Sequence, residues 1–115
     1  MKNNYTIVDS FEKLPSPSYV CEESLLEKNL KLLKRVQDES GISILLALKG
    51  FAMHSTFDLC KKYLKGCCAS GLHEAILAKE EFGGEVHTYS PAFKDEEIDE
   101  IISISNHLVF NSFNQ

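Results

Sequence analysis

The stretch ILLALKGFA, residues 44–52, puts a primary amine at the end of an apolar run. A lysine at the C-terminal end of a buried strand faces the side on which parallel α/β folds build their sites. Apolar walls there would disfavour the ammonium form and make the amine of Lys49 more nucleophilic. Such an amine suits Schiff-base chemistry. The competing reading is a strand-end lysine that lays its stem on apolar surface and keeps its charge in water. Spacing does not choose between the two.

The segment ASGLHE, residues 69–74, offers a second set. Ser70 sits where a short strand passes into a helix and reads as that helix's N-cap. Glu74 falls in the first turn, where the helix dipole favours a carboxylate. Capping alone accounts for both. His54, His73, His87 and His107 show no ligand spacing. Cys21, Cys60, Cys67 and Cys68 contain no CxxC pair, and Cys67 and Cys68 would point to opposite faces of a strand. They read as reduced thiols, and no metal site is expected. Neither GxGxxG nor GxxxxGK[ST] occurs, which argues against dinucleotide and P-loop binding. The acidic run over 94–100 reads as a solvated helix face.

The elements that must hold these residues alternate. Pro15 and Pro17 block helix near the start, and 18–21 reads as an extended strand. Ser24 with Glu27 forms a capping box that opens a helix, with Leu26, Leu30 and Leu33 as its buried stripe. Ser40-Gly41 ends it. A strand apolar on both faces follows over 42–48, of the kind found in parallel sheets covered by helices. Then come a helix over 55–64, a strand of small residues over 66–70, and a helix over 72–82 stopped at Gly83-Gly84. A strand over 85–90, a helix over 95–103 and a strand over 107–111 complete the order. Such alternation implies a parallel sheet with right-handed crossovers. An open doubly wound sheet and a (β/α)8 barrel both fit, and the barrel needs about 250 residues. A chain of 115 residues ending just past a strand is expected to be the N-terminal part of a longer protein. On the barrel alternative, the organisation expected is a lead-in segment over 1–23 and the first half of a barrel over 24–115. That half would have about four parallel strands with helices on one face.

Composition narrows the class. The formal charge is −5 and the pI about 5.3, with no basic cluster, so nucleic-acid binding is disfavoured. No apolar run reaches the length of a membrane span, and the N-terminus MKNNYTIVDSFEKLP has no apolar signal core. A cytoplasmic location is the simplest expectation.

The segments PSPSYV, LALKGFA, CCASGLHEA, EEFGGEVHTYSPAFKDEEIDEI and HLVFNS occur in this order. Together they resemble the carboxynorspermidine (carboxyspermidine) decarboxylase family. That family lies within the alanine-racemase-like, ornithine/diaminopimelate-decarboxylase group of pyridoxal-phosphate (PLP) enzymes. The resemblance implies a PLP-binding (β/α)8 barrel followed by a β-domain, with homodimers in the full-length form. It implies that Lys49 carries PLP in Schiff-base linkage and that Ser70 and Glu74 lie at the cofactor. The implied reaction takes carboxynorspermidine or carboxyspermidine to norspermidine or spermidine, in polyamine biosynthesis. Two departures from the ornithine-type pattern stand out. One extra residue separates Ser70 from Glu74, and Cys67 occupies a position where ornithine-type members carry an acid, which argues against ornithine as substrate. The phosphate-binding glycines and the pyridine-nitrogen carboxylate would lie further along, so 115 residues alone are not expected to form a competent enzyme. The other readings are a non-catalytic PLP-binding barrel protein and a small open α/β binding domain without cofactor. The approach PSPSYV, which resembles a strand joining the β-domain, argues against the former.

Overall fold

In the computed structural model the described residues are 13–115. The first twelve positions of the lead-in segment lie outside them. Four strands, β1 (Leu46–Ala47), β2 (Gly66–Ala69), β3 (Glu85–Tyr89) and β4 (His107–Val109), form one sheet in the order β1-β2-β3-β4. Every pairing is parallel. Between and before them run α1 (Glu23–Ser40), α2 (Phe57–Cys60, entered through a 3₁₀ turn at His54–Thr56), α3 (Leu72–Leu77) and α4 (Asp95–Ile104). The expected parallel α/β architecture is therefore present, in sequence order.

One face of the sheet is covered. Cys67, Ala69, Val86 and Thr88 are buried on it, together with Leu48. Leu30 of α1, Phe57 and Cys60 of α2, Ala75 of α3 and Phe82 join them in a single core, against which Ile104 of α4 packs. Phe57 and Phe82 meet edge-to-face with centroids 5.5 Å apart, an arrangement that adds about 0.5–1.5 kcal/mol to the burial itself. The alternate residues Cys68, Glu85, Tyr89, His107 and Val109 are exposed on the opposite face. A period-2 chain with one face against helices produces this split directly.

Several local expectations are corrected. The strand read over 42–48 contracts to Leu46–Ala47, because the chain turns at once: Gly50 and Phe51 N–H both donate to the Ala47 carbonyl. Residues 18–21 form no strand among the described residues, and Tyr19 is 97% exposed. The Ser24–Glu27 capping box does not form. Ser24 Oγ donates to Glu22 instead (2.7 Å), while Glu27 accepts from the Tyr63 hydroxyl (2.6 Å) and pairs with Lys31. Leu33, expected in the buried stripe, is exposed, and Gln37, one turn on, is buried instead. That amide is buried yet satisfied: Nε2 donates to the Tyr63 carbonyl and Oε1 accepts from Ile44 N–H, both at 2.8 Å. It ties α1 to the segments on either side of α2.

The helix over 72–82 begins as α and ends as a π turn, Ala78–Phe82, which closes at Gly83 with φ +75°. Glycine adopts that left-handed angle without a Cβ penalty. Gly66 serves a different need. A Cβ built there would stand 2.0 Å from the Glu85 carbonyl oxygen, so only glycine lets β2 and β3 approach at this register.

Candidate functional site

Register decides which side chains share a level. Ala47 pairs with Cys68, Cys68 with His87, and His87 with His107. Two places further, continuing the same register, Ser70 comes level with Tyr89, which pairs with Val109. Leu48 N–H still donates to Cys68 O (3.1 Å), so the β1–β2 alignment holds to the turn that carries Lys49 beside Ser70. Lys49, Ser70 and Tyr89 thus stand at the C-terminal ends of three neighbouring strands.

Leu48 is only 3% exposed and points into the helix-side core, whereas Ala47 and Lys49 on either side are exposed. Lys49 is exposed in the turn that follows β1. The ion pairs of the described residues do not include it.

Ser70 and Glu74 do come together, in a different arrangement from simple capping. Gly71 is the N-cap of α3, and its carbonyl accepts from Ala75 N–H. Ser70 lies one residue earlier. One carboxylate oxygen of Glu74 accepts from both the Ser70 N–H and the Ser70 hydroxyl, each at 2.7 Å. The two residues form a half-buried clasp at the rim. With its proton committed to Glu74, the Ser70 hydroxyl presents its lone pairs to whatever lies above.

Cys67, where the ornithine-type pattern has an acid, is fully buried on the helix side, and desolvation pushes its thiol up to about 12. A carboxylate there would be buried in the core, so no acidic role belongs at this position. Burial also pushes the Cys60 thiol up.

A second constellation was not legible in the spacing. Glu85 and His87 of β3 and His107 of β4 place one donor atom each within 4.8 Å of the others on the uncovered face. His87 Nε2 lies 3.0 Å from Glu85 Oε2, and the two imidazole rings are 4.2 Å apart, tilted by 34°. The His87 hydrogen bond holds the Glu85 carboxyl below its ordinary range. Positions 87 and 107 are twenty residues apart, and only the strand register brings them together.

A cleft of about 750 Å³ lies elsewhere. Tyr19, Val20, Leu25, Leu26, Phe51 and Met53 line it, between the lead-in segment, α1 and the loop after β1. None of Lys49, Ser70 and Glu74 contributes to it. No helix among the described residues is long and apolar enough to cross a membrane.

No family model matches the chain. It is 53% identical over 105 residues to the carboxynorspermidine/carboxyspermidine decarboxylase of Campylobacter jejuni subsp. jejuni serotype O:6, covering 91% of this chain and 28% of the relative. It is 46% identical over 102 residues to the carboxyaminopropylagmatine decarboxylase of Synechocystis sp., covering 89% and 26%. A decarboxylase of the first kind from Herminiimonas arsenicoxydans is 43% identical over 102 residues, covering 89% and 28%. The crystal structure of carboxynorspermidine decarboxylase complexed with norspermidine from Campylobacter jejuni superposes with a TM-score of 0.86 at 53% identity, over 89% of this chain and 28% of that one. The resemblance read from the sequence is borne out over nearly the whole chain, in sequence and in fold. The chain spans between a quarter and a third of the length of these relatives.

Proposed function

We propose that this chain supplies the lysine-bearing wall of a PLP-dependent decarboxylase that acts on a carboxylated polyamine. The observation that carries the reading is the position of Lys49. It is exposed in the turn at the C-terminal end of β1 and enters no ion pair among the described residues. The likeness to decarboxylases of two related substrate names supports the reaction class.

The residues present fit the cofactor at its aldehyde end. A primary amine is the one side-chain group that can hold an aldehyde by condensation. Lys49 offers that amine on a tight turn whose backbone is closed onto Ala47, which limits its reach to the rim. When bound, PLP supplies an electron sink for the pair left behind as carbon dioxide departs. This chain's residues position and exchange protons around it. Lys49 Nζ holds the cofactor before substrate arrives and, once displaced by the substrate amine, is placed to carry a proton. Glu74 fixes Ser70 through its N–H and hydroxyl, and Ser70 offers an acceptor at the rim. The proposed substrate has an α-amino acid head on a polyamine tail, and the full-length protein is proposed to work as a homodimer in the cytoplasm.

Borohydride reduction of the PLP-loaded full-length protein, followed by peptide mass mapping, tests this. The pyridoxyl group is expected on Lys49. An adduct on Lys79 or Lys94, or none, overturns the assignment.

A further inference from the structure

We propose that Glu85, His87 and His107 form a binding site for a divalent transition-metal ion of the zinc class, on the uncovered face of the sheet. The three side chains come from adjacent strands and point the same way, because His87 and His107 are direct register partners and Glu85 lies two residues before His87. Their ligand atoms already lie within 4.8 Å of one another. A tetrahedral ion with bonds near 2.0–2.2 Å sets its ligands roughly 3.3–3.5 Å apart. The Glu85–His87 separation of 3.0 Å is close to that, and a His107 ring nitrogen lies within 4.8 Å of both partners' donor atoms.

The donor set selects the ion. Two imidazole nitrogens and one carboxylate oxygen suit zinc, and also cobalt, nickel and copper, whereas calcium and magnesium require mostly oxygen. Three protein ligands leave a fourth position open to water. The ion would also fasten β4, a strand of three residues, to its neighbour. A shared cation would use one lone pair from each imidazole.

The site is separate from the Lys49 rim. His87 lies two residues, about 6.6 Å along the strand, below the level of Tyr89 and Ser70. It stands on the residues of β3 and β4 alone and does not depend on the decarboxylase reading. Cys68, level with His87 on the same exposed face, is the group most able to mimic it by capturing metal through its thiolate.

The test is titration of the metal-stripped full-length protein with Zn²⁺ against a chromogenic chelator, with Co²⁺ as the spectroscopic probe. One equivalent is expected to bind, with the intense visible bands of four-coordinate Co²⁺ and no thiolate charge-transfer band. His107→Ala and Glu85→Gln should each weaken binding by roughly tenfold or more, while Cys68→Ser leaves it unchanged. Both altered residues are exposed, and circular dichroism on each variant confirms that the fold is kept. Absence of saturable one-to-one binding, wild-type affinity in both His107→Ala and Glu85→Gln, or loss of binding in Cys68→Ser overturns the proposal.

Discussion

Glu74 holds Ser70 twice with a single oxygen, taking the backbone N–H and the hydroxyl at 2.7 Å each. The carboxylate reaches back across the first turn of α3 and fixes the residue at which β2 ends. Glu74→Ala leaves a half-buried N–H and hydroxyl without that partner. A hydrogen bond to a charged group contributes about 1.5–3 kcal/mol, so urea unfolding should show a loss of that order. Glu74→Gln keeps an acceptor and should recover part of it. Equal stability in all three proteins would mean that the clasp is replaced by water at no cost.

Lys49 invites the opposite expectation for stability. It is exposed and makes no ion pair among the described residues. Lys49→Ala should change unfolding free energy by no more than about 0.5 kcal/mol, while decarboxylation by the full-length protein falls to background. Wild-type turnover in that variant would remove the lysine from the chemistry.

The four cysteines should react unequally. Cys67 is buried and its thiol is pushed up to about 12, while Cys68, its chain neighbour, is exposed on the other face. Iodoacetamide at pH 8–9 should alkylate Cys68 and leave Cys67 and Cys60 untouched until the fold opens, as peptide mapping will show. The linkage sign follows. The folded thiol of Cys67 titrates above its ordinary 9.0, so its contribution is fully present below pH 9. It declines between pH 9 and 12, as the unfolded chain ionises and the folded one does not. Stability that rises over this window would contradict the burial of Cys67.

Gly66 sets the β2–β3 register by letting the strands approach within a distance that no Cβ tolerates. Gly66→Ala should cost at least about 1–3 kcal/mol, as overpacking against backbone does. It should also weaken the proposed metal binding, because Glu85 is the residue directly opposite. Thermal unfolding and the Zn²⁺ titration read the two effects separately.

The parts of the fold legible in the sequence were those with a long period. α1 and α4 declare themselves by apolar spacing, and the Gly83 stop by residue type. The parallel order of the strands was also legible, because the helical and strand segments alternate along the chain. What stayed hidden depends on partners distant in sequence. Gln37 reads as a surface residue until Tyr63 and Ile44 supply its bonds. Glu27 reads as half of a capping box until the Tyr63 hydroxyl claims it. His87 and His107 are unrelated in the sequence and adjacent in the sheet. Strand β1 was overread because periodicity cannot see the turn that closes on Ala47.

The strand order β1-β2-β3-β4 has a kinetic meaning. Each strand pairs only with the strands next to it in the chain, so no loop longer than one βα unit must close before a pairing forms. Chains with such local connectivity close small loops and fold fast relative to those that must join distant ends. Emerging from the ribosome, β2 can dock on β1 as soon as α2 has cleared, and β3 on β2 after α3, each step extending a template already in place. A synthesis pause after any βα unit would therefore leave a sheet with a growing edge.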